Sequence, residues 1–284
     1  MQVYQVENVE IKCRMLGSGP PVLLLHGFGG SINDWLPVAE ILQAKYKLII
    51  PNLANFYALK EKFTFNDQIR MLANLLDQLS VNGEKIHLVG TSYGGLLSFG
   101  LRFYRHQHLL SHTLINSMPL DPIKNIKNWR LRLVLYFANW PGVLSFYSLT
   151  SWGRRTFKYF AKIFHLGLRG KNEITHFNKR MFWTVFKALH RFLWIDHQHN
   201  WGLWKKIKIQ DHIATFIVYS ALDPLFSPSC YLKMGRHFNE LAIEKIEKAG
   251  HLSIYTHPEI ISQLLDLHFS KVSDRIDSEN LLVG

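Results

Sequence analysis

Ile86-His87-Leu88-Val89-Gly90-Thr91-Ser92-Tyr93-Gly94-Gly95 is the stretch whose reading decides the fold. An apolar run of strand character enters a glycine-flanked turn, and helical spacing follows from Leu96 to Tyr104. In a strand–Gly-x-Ser-x-Gly–helix context the glycines let a tight turn crowd neighbouring backbone. The serine is left at the carboxyl end of the strand, pointing out of the sheet, with a helix N-terminus behind it. Gly95 adds room for the helix to pack on the strand. Ser92 is therefore a candidate nucleophile.

The pattern on either side is the same alternation. Val3 to Met15 reads as two short strands, closed by the turn cluster Gly17-Ser18-Gly19-Pro20-Pro21. Val22–Leu25 is a short continuous apolar run, as expected of a strand buried on both faces of a parallel sheet, and Tyr46–Ile50 and Thr113–Ile115 read as further buried strands. Helical spacing covers Asn33 to Ala44, and Asn66 is the expected N-cap of a helix with Ile69, Leu72, Ala73, Leu76 and Leu79 on one face. Later, strand Thr215–Tyr219, helix Ser227–Phe238, strand Ala242–Ile246 and helix Pro258–Phe269 repeat the theme, and the polar residues Ser273 to Gly284 are expected to fray. These elements predict an α/β fold, a mostly parallel eight-stranded sheet flanked by helices. Residues 121–208 carry no clear β run, so they read as a helical cap inserted after the sixth strand. Residues 1–120 and 209–284 then form the core domain.

Composition narrows the classes. With 284 residues, 48% of them hydrophobic, the chain is long enough for a large core and too apolar for disorder. Leu133 to Gly153 has no charge, but Asn139, Pro141-Gly142 and several serines interrupt it, against a spanning helix. The first residues show no basic segment before an apolar run, so no secretory signal is expected. Cys13 and Cys230 cannot make a disulfide framework and read as reduced and buried, which fits a cytoplasmic protein.

Charge is unevenly placed. Residues 122–208 hold 17 Lys/Arg against Glu173 and Asp196, a net of +15, while the rest holds 16 against 19. Half of the 38 aromatic residues fall between Trp129 and Trp204. Arg155, Lys158, Lys162, His165 and Arg169 recur at helical spacing beside an apolar face of Phe157, Phe160, Ala161, Phe164 and Leu168. Two readings fit this segment: a cap helix with a solvated basic face, or a surface that docks peripherally on anionic membrane. Nucleic acid is not expected as a partner, because no recognition motif accompanies the charge. His197-Gln198-His199 lacks further ligands nearby and reads as a polar loop rather than a metal site.

A serine nucleophile needs a base, and the base needs a carboxylate to fix its tautomer. Gly250-His251 follows the last strand and precedes the last helix, and Leu222-Asp223-Pro224 sits just past Thr215–Tyr219. Both fall at the sheet edge of Ser92, in the chain order Ser92, Asp223, His251. Asp121 is a rival acid that could instead cap the first helix of the insert. Acyl transfer also needs two donors for the oxyanion. The backbone N–H groups of Phe28, in His26-Gly27-Phe28-Gly29-Gly30, and of Tyr93 are the candidates. His26 reads as shaping that loop rather than as a base.

On His26-Gly27-Phe28-Gly29-Gly30, Trp35, Gly90 to Gly95, Asp223-Pro224 and Gly250-His251, the chain resembles α/β-hydrolase-fold serine hydrolases over nearly its whole length. The run Ile86 to Ser92 is similar to monoacylglycerol-lipase-like and related esterase members. The resemblance implies a helical cap and an acyl-enzyme mechanism with no cofactor. One departure stands out: where family members carry an Asp-x-x-Gly-x-Gly loop, this chain has Asn52-Leu53-Ala54-Asn55-Phe56-Tyr57, which implies an altered pocket. Dehalogenases and epoxide hydrolases of this fold need a carboxylate where Ser92 stands. The Gly27-x-Gly29-Gly30 loop lacks dinucleotide spacing. The aromatic insert points to an ester with a lipophilic acyl group. The alternatives are a C–C bond hydrolase of the meta-cleavage type and a non-catalytic ligand- or membrane-binding protein on the same fold.

Overall fold

A computed structural model of the chain describes residues 1–53, 64–80, 83–137, 142–156, 158 and 211–283. Its strands are β1 (Gln2–Val6), β2 (Val9–Leu16), β3 (Pro21–Leu25), β4 (Lys47–Pro51), β5 (Ile86–Thr91), β6 (Leu109–Ile115), β7 (Ala214–Ser220) and β8 (Leu241–Ile246). They form one eight-stranded sheet in the order β1-β2-β4-β3-β5-β6-β7-β8. The β1–β2 and β2–β4 pairs are antiparallel and the others parallel. The helices are α1 (Leu36–Leu42), α2 (Phe65–Leu79), α3 (Tyr93–Arg105), α4 (Pro122–Asn125), α5 (Trp129–Phe137), α6 (Val143–Leu149), α7 (Pro228–Gly235), α8 (Ser253–Thr256) and α9 (Pro258–Val283).

The sheet separates two apolar layers, and the pleat sends alternate residues of a strand to each. Leu23, Leu25, Leu88 and Ile217 pack with Ile69 and Leu72 of α2, Leu96 of α3 and Met234 of α7. Val22, Leu24, Val89 and Val218 pack with Val38 of α1 and with Ile261, Leu265 and Phe269 of α9. Every residue of β3 and β5 is buried, which is why both read as largely apolar runs rather than alternations, His87 of β5 being buried with the rest. A fully buried aliphatic side chain of this kind contributes about 1.5–3 kcal/mol. The carboxyl ends of β5, β6, β7 and β8 all open on one edge, where the strand-to-helix loops can converge.

Two expectations need correction. The cap of α2 is Thr64, not Asn66: Asp67 N–H donates to Thr64 Oγ1 at 3.1 Å, and Thr64 N–H donates back to Asp67 Oδ2 at 2.8 Å. This reciprocal box satisfies two donors at once, and Asn66 lies inside the helix. The C-terminal residues do not fray at Ser273, because α9 continues to Val283. Val272 is buried one turn beyond Phe269, and Arg275 pairs with Glu240. The apolar face therefore outruns the polar composition.

Between β6 and β7 the described residues form α4, α5, α6 and a helical stretch over 151–156. The start of this insert is tied to the loop after β7: Lys127 N–H donates to Leu225 C=O at 2.9 Å, and Ile126 bridges Phe226. Phe157, Phe160, Ala161, Lys162, Phe164, His165, Leu168, Arg169, His197 and His199 lie outside the described residues, as do Asn55 and Tyr57. Among the described residues no helix is long and apolar enough to cross a membrane.

Candidate active site

Ser92 occupies the turn between β5 and α3 with φ 50° and ψ −119°. A non-glycine residue held at positive φ costs about 1–3 kcal/mol and needs surroundings that fix it. Those surroundings are the end of β6: Ser92 N–H donates to Ile115 C=O at 3.2 Å, and Met118 N–H donates to Ser92 C=O at 2.8 Å. Gly94 is required by close approach, since a Cβ there would stand 2.4 Å from the Leu25 carbonyl oxygen. The loop after β3 comes in on the other side, where a Cβ on Gly27 would lie 3.3 Å from Ser92 Cβ.

His251, on the loop after β8, has Nε2 2.9 Å from Ser92 Oγ and Nδ1 2.8 Å from Asp223 Oδ2. Asp223 is buried and accepts three further hydrogen bonds. Leu225 N–H and Phe226 N–H donate to Oδ1 at 2.7 and 3.3 Å, and Tyr231 O–H donates to Oδ2 at 3.0 Å. Burial alone pushes the Asp223 carboxyl up. The neighbouring His251 and the backbone donors outweigh it, so the group sits below its ordinary value and stays ionised. An ionised Asp223 can only accept, so His251 Nδ1 carries the proton. Its Nε2 lone pair then faces the Ser92 hydroxyl. Tyr231 is raised well above its ordinary value by burial and the Asp223 charge, so it remains a donor.

His26 is fully buried; Leu53 N–H donates to its Nε2 at 3.0 Å, so its Nδ1–H donates to Gly27 C=O at 2.8 Å. Burial lowers its pKa to about 4, and both nitrogens are spent on shaping the loop. Asp121 caps α4, accepting from Lys124 N–H at 3.4 Å and pairing with Lys124 Nζ at 3.2 Å. Phe28, on the loop after β3, and Tyr93, the first residue of α3, carry the N–H groups that are the oxyanion candidates. Their rings meet edge to face at 5.1 Å, which ties that loop to the start of α3. Burial raises both cysteine thiols to about 12, so neither is a nucleophile. No cluster of three or more His, Cys, Asp or Glu suited to a metal occurs among the described residues.

Three residues at the site escaped the sequence reading. Tyr231 supports the Asp223 carboxylate, and Lys127 Nζ donates to the Asp223 backbone carbonyl at 2.6 Å. Asn116, directly after β6, stands at φ 42° among the three loops. An asparagine ending a buried strand was the one available signal, because asparagine tolerates positive φ.

A base bonded to a hydroxyl and oriented by a buried carboxylate is the arrangement that activates a serine. The family model for the alpha/beta hydrolase fold matches residues 20–258. The chain belongs to the α/β-hydrolase fold family. One curated relative is the pimeloyl-[acyl-carrier protein] methyl ester esterase of Aeromonas salmonicida (strain A449). It is 24% identical over 266 residues, covering 88% of this chain and 96% of that protein. Among solved structures, haloalkane dehalogenase DbeA from Bradyrhizobium elkani USDA94 superposes with a TM-score of 0.75 at 18% identity, over 96% of this chain and 98% of that one. A thermophilic esterase from Thermogutta terrifontis does so at 0.67 and 21% identity, over 96% and 99%. The solved structures share the fold. Carboxylic ester hydrolysis is the activity that the full-length curated relatives support.

Proposed function

We propose that this α/β-hydrolase is a serine esterase that cleaves carboxylic esters with a lipophilic acyl group through an acyl-enzyme. Ser92 Oγ attacks the ester carbonyl while its proton passes to His251 Nε2. The tetrahedral oxyanion is held by the N–H groups of Phe28 and Tyr93. The alcohol departs with the proton from His251. Water, giving a proton to the same nitrogen, then releases the acid and restores Ser92. Asp223 fixes the imidazole tautomer throughout. The observation carrying this reading is the continuous chain Ser92–His251–Asp223, with links of 2.9 and 2.8 Å.

The acyl preference rests on the aromatic insert, a cap over residues 121–208 on a core of 1–120 and 209–284. The Aeromonas relative, by its name, acts on a pimeloyl-[acyl-carrier protein] methyl ester, so methyl esters of acyl chains are natural first substrates. A p-nitrophenyl series from acetate to palmitate tests the preference. Each methylene buried is worth about 0.8 kcal/mol, so kcat/KM should rise about fourfold per carbon until the pocket fills. A maximum at acetate would remove the lipophilic reading.

The insert also supports peripheral docking on anionic membrane. Trp129, Phe137, Phe146, Leu149 and Trp152 are exposed, and so are Arg130, Arg154, Arg155 and Lys158. The Arg130 guanidinium lies 5.4 Å from the Trp129 ring and 5.8 Å from that of Trp152, a basic and aromatic face suited to headgroup depth. Each basic residue near such a surface contributes about 1 kcal/mol, screened over about 8 Å at physiological salt. The chain should co-sediment with phosphatidylserine vesicles at low salt and detach at high salt. Reversing Arg155, Lys158 and Lys162 to glutamate should abolish this while sparing a soluble short-chain ester. A wild-type chain left in the supernatant at low salt would reduce the basic stripe to a solvated face.

A further inference from the structure

Asn116 is where the three loops of the site meet. It is completely buried. Its chain neighbours grip the nucleophile through the Ile115 carbonyl and the Met118 N–H described above. Its side chain reaches the other two loops. Asn116 Oδ1 accepts from Ser220 N–H at 2.8 Å, and the Ser220 carbonyl accepts in turn from Asp223 N–H at 3.2 Å. Asn116 Nδ2 stands 3.0 Å from the His251 carbonyl oxygen, 3.2 Å from that of Gly250, and 2.9 Å from the hydroxyls of Ser220 and Ser253. An amide nitrogen can only donate, so its two N–H groups are shared among these four acceptors, three of which belong to residues 250–253 around His251. One acceptor and two donors on a short planar group match this demand, and neither a hydroxyl nor a carboxylate does.

We propose that Asn116 is a positioning residue that sets the His251 loop, and with it the imidazole, against Ser92 and Asp223. The proposal rests on the reading of those three residues as the acyl-transfer machinery. A plain backbone role competes with it, because φ 42° by itself favours asparagine or glycine. Asn116→Gly separates the two roles: it keeps the backbone freedom and deletes the amide. Under the positioning role the His251 loop loses its donors and the imidazole drifts. A misplacement of about 1 Å costs about 10²-fold, so kcat should fall by about that factor with KM unchanged. Asn116→Asp keeps the size, the φ tolerance and the acceptor for Ser220 N–H, and its ionised form lacks the donors. It should fall in the same direction and serves if the glycine variant does not fold.

The experiment measures fluorophosphonate labelling and ester turnover per active site, so that a partly unfolded preparation does not imitate a loss. Circular dichroism and the far-downfield Nδ1 proton resonance of His251 are recorded alongside. The expected result is a folded variant with slowed labelling, lowered kcat and a broadened or shifted His251 proton. A folded Asn116→Gly that labels and turns over at the wild-type rate, with the wild-type proton signal, overturns the proposal. A wild-type chain that fails to label removes the underlying nucleophile reading, and the proposal falls with it. The two failures are therefore distinguishable.

Discussion

Ser92→Ala should abolish ester hydrolysis and leave the protein folded. The substitution deletes one oxygen at the mouth of a buried hydrogen-bonded chain. Alanine at φ 50° is no more strained than serine, because the steric penalty of that region belongs to the Cβ that both share. The two backbone bonds that hold residue 92, to Ile115 and Met118, survive the change. What is lost is covalent catalysis. Without Ser92 Oγ the ester must be attacked by water in one hard step, and His251 has no positioned nucleophile to deprotonate. Removing a serine of this kind costs about 10⁶ in kcat, with a residue of oxyanion stabilisation and binding left behind. Turnover of a p-nitrophenyl ester, with circular dichroism on the same preparation, decides the matter. A variant keeping more than about a tenth of the wild-type rate would contradict nucleophilic attack by Ser92.

The fold was legible because the central strands are buried on both faces. Val22–Leu25 and Ile86–Val89 have no polar residue positions to spare for solvent except His87, which is buried against Ser111. Such runs between glycine-rich turns have few other uses. Element ends were less legible. Thr64 and Asn66 are both good caps, and the reciprocal bond from Asp67 chose between them. The end of α9 was obscured by its composition, since the serines, acids and Arg275 after residue 272 hide a face that Val272 still shares with Leu265 and Phe269. The candidate site shows the same division. Chain order and strand ends bring Ser92, Asp223 and His251 to one edge, so they could be named from local context. Asn116 and Tyr231 could not. Asn116 belongs to no motif that names its partners, and its contacts with Ser220 and His251, 104 and 135 positions away, follow only from the assembled fold.

Asp223→Asn should cost about 10⁴ in kcat, by analogy with the same change in other triads. The local geometry says why. Leu225 N–H and Phe226 N–H both require an acceptor, so the side-chain oxygen of the new asparagine stays where Asp223 Oδ1 is. Its amide nitrogen then replaces Oδ2 and points at His251 Nδ1. An amide N–H there demands an acceptor, which forces the imidazole proton onto Nε2. Nε2–H faces Ser92 and can no longer take its proton. The backbone donors stay satisfied and Tyr231 can turn its hydroxyl to accept, so the fold should persist and the loss should appear in kcat rather than in the amount of folded protein. Asp121→Asn is the matched comparison. Asparagine caps a helix as well as aspartate does, and a partly exposed surface pair with Lys124 is worth about 0–1 kcal/mol, so activity should stay near wild type. Steady-state kinetics on the two variants ranks them directly. If Asp121→Asn were the damaging change, the acid would belong to the loop after β6, and the contact between Asp223 and His251 would be structural only.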